Sequence, residues 1–111
     1  MKIKWCDWLP FRKWRVVGSV DNADEVPYRL PKTGAVVVSS AGYDKWVVFD
    51  CPCRRGHRIM LNIDGARQPH WRIGIDSDRI LSITPSVDYK DAENHCHYFL
   101  RRGRIQWSKD L

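Results

Sequence analysis

Four side chains have the types and the spacing to hold a metal ion: Cys51, Cys53, His57 and Cys96. Zinc takes thiolate and imidazole ligands in a tetrahedron. A Cys-x-Cys step puts two thiols on one side of an extended segment, because side chains i and i+2 share a face. Gly56 lets the chain fold back so that His57 can join them. Cys96 comes from a distant strand and would staple the two halves of the domain together. His97 is the rival for the fourth position. In an extended segment Cys96 and His97 point to opposite faces, which favours His57; a turn at residues 95–97 would remove that argument. His95 has the same parity as His97 and is the weaker alternative. The competing reading makes Cys51, Cys53 and Cys96 small buried hydrophobes, or pairs two of them in a disulfide. Cys6 stands apart as a packed or free thiol.

Three thiolates and an imidazole leave zinc no open position, so such a site is structural, and catalysis has to come from other residues. Ser86, in Thr84-Pro85-Ser86-Val87, lies just past an expected strand end, and His97 opens the next strand. A serine hydroxyl within reach of an imidazole is an activated nucleophile. Asp88, Asp50 or Asp64 would supply a carboxylate to orient the ring. The bland alternative is that Ser86 bonds the backbone of a turn and that His97 packs or caps. If His97 held the metal instead of His57, an open zinc centre activating water would be the second mechanism.

These residues need strands to position them. The apolar run from Trp14 through Val20 reads as a first strand. Asp24 is placed to cap one short helical turn that ends by Pro31. Ala35–Ser39 and Lys45–Asp50 are β-branched and pair as a hairpin around Gly42. Residues 51–57 form a compact turn. Arg58–Asp64 follows with Ile59, Leu61 and Ile63 on one face. Trp71, Ile73 and Ile75 alternate with polar residues. Arg79–Thr84 is a short strand that Pro85 stops, residues 87–95 read as a loop, and Cys96–Leu100 and Arg104–Trp107 close the chain as two strands. Trp46, Trp71 and Trp107 fall at core positions. No stretch carries ten or more residues of helical period. The expectation is a mostly β fold, a small single antiparallel-sheet domain stapled by zinc, spanning residues 1–111 with 1–11 as a loosely docked N-terminal arm.

Length and composition bound the rest. A chain of 111 residues with 43% hydrophobic residues and six Trp holds one domain with a real core, which excludes intrinsic disorder for most of it. No apolar run approaches the roughly 18 residues that span a bilayer, and the N-terminus lacks a signal-peptide pattern, so a cytoplasmic protein is expected. The net charge of +6 gathers in Lys2–Arg15, Arg54–Arg58 and Arg101–Arg104. That charge permits nucleic acid but suits an acidic protein equally well, and it is also what a plain solvated surface carries. Arg101, Arg102 and Arg104 around Gly103 make a turn able to meet phosphate or an acidic partner. No RNA-recognition motif is present.

Several motifs together resemble a bacterial family of zinc-binding domains of unknown function. They stand here as Trp46-Val47-Val48-Phe49-Asp50-Cys51-Pro52-Cys53, Gly56-His57-Arg58-Ile59-Met60-Leu61-Asn62, Pro69-His70-Trp71-Arg72, Pro85-Ser86-Val87 and Cys96-His97-Tyr98-Phe99-Leu100-Arg101-Arg102-Gly103-Arg104. Asp24-Glu25-Val26-Pro27 and Leu30-Pro31 are similar to a subgroup of that family, and the resemblance covers roughly residues 14–107. Its members are encoded beside ubiquitin-like proteins and their activating and conjugating enzymes, in Bub-type operons. The resemblance implies a zinc-binding β domain with Cys51, Cys53, His57 and Cys96 as ligands. It also implies a peptidase that processes or deconjugates the ubiquitin-like protein, with Ser86 and His97 as its catalytic residues. Many relatives carry a further Cys where this chain has Arg55, which leaves the fourth ligand open. The partners implied are the ubiquitin-like protein and its conjugation enzymes, with nucleic acid ranked below them. The alternative from another class is a non-catalytic zinc module that binds the modifier, its enzymes or a nucleic acid.

Overall fold

β-Branched residues crowd the apolar runs and lose least by being extended, so each run is a strand. In the computed structural model, which describes residues 1–9 and 12–108, two short 3-10 turns and eight strands follow in order. The turns are Trp5–Trp8 and Ala23–Glu25. The strands are β1 (Arg15–Val20), β2 (Gly34–Ser40), β3 (Tyr43–Asp50), β4 (Arg58–Asn62), β5 (Arg72–Ile75), β6 (Leu81–Lys90), β7 (His95–Arg101) and β8 (Arg104–Trp107).

The single sheet expected from sequence is corrected to two sheets of four strands, β1-β2-β3-β4 and β5-β6-β7-β8. All neighbours pair antiparallel except β1 and β2, which run parallel. Their inward faces meet in one core that holds Phe49, Leu81, Leu100 and Tyr98, each with no exposed surface. Trp14 packs edge-on against Phe49 at 5.4 Å between ring centres. A second apolar cluster, Val17, Val20, Leu30, Val36, Val38 and Val48, covers the other face of β2 and β3.

Main-chain bonds tie the sheets together at two corners. At one corner the Trp14 N–H donates to the Gly103 carbonyl at 2.8 Å, and the Leu81 N–H donates to the Trp14 carbonyl at 3.0 Å. Gly103 has φ +77, and a Cβ there would lie 2.8 Å from Lys13 Cβ, so both the conformation and the close approach call for glycine. At the other corner the Trp71 N–H donates to the Asn62 carbonyl at 2.9 Å, linking β4 to the start of β5.

The largest departure from the sequence reading is β6. It does not stop at Pro85, and residues 87–90 continue it rather than forming a loop. Its register with β7 shifts between Ile83 and Val87: Ile83 lies opposite Leu100 while Val87 lies opposite Tyr98. Four steps on β6 therefore face two on β7, so Pro85, which has no N–H to give, sits in a bulge rather than in the ladder. Two extra residues preserve parity, and Val87 stays on the core side with Leu81 and Ile83.

Smaller corrections follow from local chemistry. Asn22, not Asp24, caps the short turn: its side chain accepts from the Asp24 N–H at 3.0 Å. Trp107 is 44% exposed because β8 is an edge strand whose ring leans on Tyr98 from outside, and Trp46 and Trp71 are half-buried. In the N-terminal arm Asp7 is buried and Arg12 donates to the Cys6 carbonyl at 2.9 Å, while Pro10 and Phe11 lie outside the described residues. Among the described residues no helix is long and apolar enough to cross a membrane.

Candidate functional site

Cys51 directly follows β3, and residues 51–57 reverse the chain into β4. The Cys51 N–H donates to the His57 carbonyl at 3.0 Å, and Gly56 adopts φ +91 within the turn. This turn brings Cys51, Cys53 and His57 against Cys96 of β7. The four ligand atoms all lie within 4.8 Å of one another. His57 Nε2 is 3.5 Å from Cys53 Sγ and 3.7 Å from Cys96 Sγ. Zn–S and Zn–N bonds of about 2.3 and 2.0 Å make the S···N edge of a tetrahedron about 3.5 Å, so the cluster has the size and donor set of a zinc site.

The surroundings fit the same purpose. The imidazole of His57 stacks on Tyr89 with 4.1 Å between centres and 10° between planes. The Tyr98 hydroxyl lies 3.7 Å from Cys51 Sγ. Burial, with the thiols crowded beside it, pushes Cys96 up to about 12, and burial also raises Cys51. Burial acts upward on Cys53 too, but the backbone N–H of Arg55 and its neighbouring thiols outweigh it and hold it below the ordinary thiol value. Three crowded thiols with a single low member need a cation before all can ionise. The Arg55 guanidinium donates to Asn94 at 3.0 Å, and its charge also helps to lower Cys53.

His97 follows Cys96 on an extended strand, and its ring lies on the opposite face, outside the cluster. There Ser86 Oγ and His97 Nε2 are 2.8 Å apart, and both residues are half-buried. The β6–β7 register makes the pair: Asp88 is directly opposite His97, and Ser86, two residues earlier on the same face, is its diagonal neighbour. The Trp71 indole N–H donates to the Ser86 carbonyl at 3.1 Å and pins the serine's main chain.

None of the three candidate carboxylates bonds to His97. Asp88 accepts from His95 at 2.7 Å, Asp50 from Arg58 at 2.9 Å and Asp64 from Lys45 at 3.0 Å. The structure thus brings Cys51, Cys53, His57 and Cys96 together and, on the other face of β7, Ser86 with His97. It separates Asp50 and Asp64 from that pair. Sequence reasoning missed Trp71, Tyr89 and Tyr98 as supports of these two clusters. No sequence signal marks them, because each contact depends on register between strands far apart in the chain.

The sequence model of a known family, the bacterial ubiquitination-like system serine protease (BubE), matches residues 22–108. The chain belongs to this family. The match covers all of the zinc-type cluster and the Ser86–His97 pair. It begins after β1, so Arg15–Val20 and the N-terminal arm lie outside the matched segment. No curated protein and no solved structure matches the chain.

Proposed function

We propose that the chain is a serine-type peptidase that processes or deconjugates a ubiquitin-like protein, built on a β fold held by a structural zinc. The observation that carries this reading is the 2.8 Å contact between Ser86 Oγ and His97 Nε2 on a half-exposed face. A serine hydroxyl with its ordinary high pKa needs such a base to become a nucleophile. The family's description supports the reaction class and the pathway.

In this mechanism Ser86 Oγ attacks the carbonyl carbon of the scissile bond while His97 Nε2 accepts the hydroxyl proton. The imidazolium returns that proton to the leaving amine as the C–N bond breaks, leaving the acyl group on Ser86 Oγ. Water then attacks this ester, His97 takes a proton from the water, and Ser86 regains its hydrogen as the acid product departs. Asp88, directly opposite His97, is the carboxylate best placed to orient the imidazole if it turns from His95.

Cys51, Cys53, His57 and Cys96 would hold the zinc, which supplies a cross-link between the β3–β4 turn and β7. Four protein ligands close the coordination sphere, so the peptidase reading gives the metal no part in the bond-breaking step. The basic segments Lys2–Arg15, Arg54–Arg58 and Arg101–Arg104 are able to meet an acidic face of the ubiquitin-like protein or of its conjugation enzymes, which the family's pathway favours over duplex DNA.

The test uses the zinc-loaded protein and a fluorophosphonate, which phosphonylates activated serines. The expected result is one adduct per chain, on Ser86, absent from Ser86→Ala and from His97→Ala. Cleavage of a ubiquitin-like precursor should stop in the same variants. A folded, zinc-loaded protein whose Ser86 takes no label and that leaves precursor and conjugate intact would refute the peptidase reading in favour of a binding module.

A further inference from the structure

The two sheets leave a gap on one side. Strand β4 is an edge strand, and its hydrogen-bond phase follows from its ends. The Cys51 N–H donates to the His57 carbonyl, and the Ile63 N–H donates to the Lys45 carbonyl at 2.9 Å. In an antiparallel pair, bonded and non-bonded pairs alternate. Residues 57, 59, 61 and 63 therefore bond β3, while the main-chain groups of Arg58, Met60 and Asn62 point outward. Among the described residues one of these is used across the corner, the Asn62 carbonyl, which accepts from Trp71.

Strand β6 has a matching free edge. Strand β5 covers only Leu81–Thr84, so among the described residues no strand pairs with residues 86–90 on that side. The Ser108 N–H donates to the His97 carbonyl at 2.9 Å, which turns the main chain of His97 toward β8. The Asp88–His97 pair is then a non-bonded one, and the N–H and C=O of Asp88 point away from β7, toward β4. The Ser86 carbonyl points the same way and meets the Trp71 indole. Two free strand edges thus face each other across a cavity of about 340 Å3, bordered by Met60, Leu61, Trp71, Val87, Asp88 and Tyr89.

We propose that this gap takes an extended peptide as an inserted strand. Its main chain bonds Arg58 and Met60 on one side and Asp88 on the other, and it leads to Ser86 at the end of the gap. This deepens the peptidase reading and rests on it: the occupant is the stretch of substrate beside the scissile bond. An extended backbone is the ligand that offers donors and acceptors on both edges at once, at the spacing of a strand. Alternate side chains would meet the apolar floor of Leu61 and Val87, and the others would meet solvent. The site therefore selects an unfolded tail over a folded surface.

The probe is an acetyl-capped tetrapeptide aldehyde of small residues, added to the zinc-loaded, isotope-labelled protein. Amide hydrogen exchange is read at Arg58, Met60 and Asp88, and adduct formation is read separately by mass at Ser86. Each new hydrogen bond should slow exchange at these amides by about fivefold or more. The same aldehyde N-methylated along its backbone should give no protection. Protection by the unmethylated probe supports the inserted strand whether or not an adduct forms, and a missing adduct counts only against Ser86. Unchanged exchange overturns the strand even if Ser86 is modified. Equal protection by the methylated probe also overturns it. So does protection that rises with protein concentration alone, because a second copy of the chain would then fill the gap.

Discussion

Replacing the two histidines one at a time separates the two clusters. His97→Ala removes the group 2.8 Å from Ser86 Oγ and touches none of the four clustered ligands. A positioned general base contributes about 10²–10⁴-fold, which at 1.36 kcal/mol per decade is about 2.7–5.4 kcal/mol of barrier. Precursor cleavage by His97→Ala should fall by that factor, with one zinc per chain retained. His57→Ala removes one of four metal ligands. Structural zinc sites are worth about 10–16 kcal/mol, so an even share is about 2.5–4 kcal/mol, or roughly 10²–10³-fold in zinc affinity. Its fold should become chelator-sensitive, and cleavage should return when zinc is added in excess. The assay is elemental zinc, a chelator competition and precursor cleavage on both variants beside the wild type. Zinc lost from His97→Ala, together with a fully active and zinc-loaded His57→Ala, would refute the assignment and point to an open metal centre that activates water.

Three further outcomes follow from the same geometry. Cys96 sits at about 12 and Cys51 is raised, so both are protonated near neutral pH until a cation displaces the protons. Zinc binding should release at least two protons, and affinity should rise by about two or more decades per pH unit between roughly pH 6 and 8. Calorimetry in buffers of different ionisation enthalpy measures that release, and a release near zero contradicts the ligand set. With zinc removed the sign reverses: the raised thiol of Cys96 resists ionising in the fold while the unfolded chain ionises, so the metal-free protein should lose stability from about pH 9 upward toward 12. Trp71→Phe keeps a ring in place but deletes the indole N–H that holds the Ser86 carbonyl. Losing that bond, worth about 1 kcal/mol, should lower kcat about fivefold with zinc content unchanged. An unaltered kcat would mean that the bulge holds Ser86 without it.

The sequence by itself made the strand content readable along the chain: Ile59 and Leu61 on β4 recur at the period that burial of one face writes, and the unbroken valine run of β2 is that of a strand buried on both faces. It determined the members of the metal-type cluster for a similar reason. Cys-x-Cys with a glycine before His57 is local chemistry, and the parity of Cys96 and His97 places the two side chains on opposite faces of any strand. Tertiary structure decided the rest. Val87-Asp88-Tyr89-Lys90 alternates as a half-buried strand does, but Pro85 reads as a stop just before it, so β6 was legible only in part. The bulge that absorbs Pro85 belongs to a ladder whose two strands meet across residues 91–94, and no local pattern states how many residues the longer side carries. The hairpin at residues 91–94 sets Asp88 opposite His97, and so Ser86 diagonal to it, while the bulge sets how the Leu81–Ile83 end of β6 meets β7. Side-chain period is fixed by neighbours along the chain, whereas register is fixed by which faces can be buried together, and that competition is settled only when all the strands are present at once.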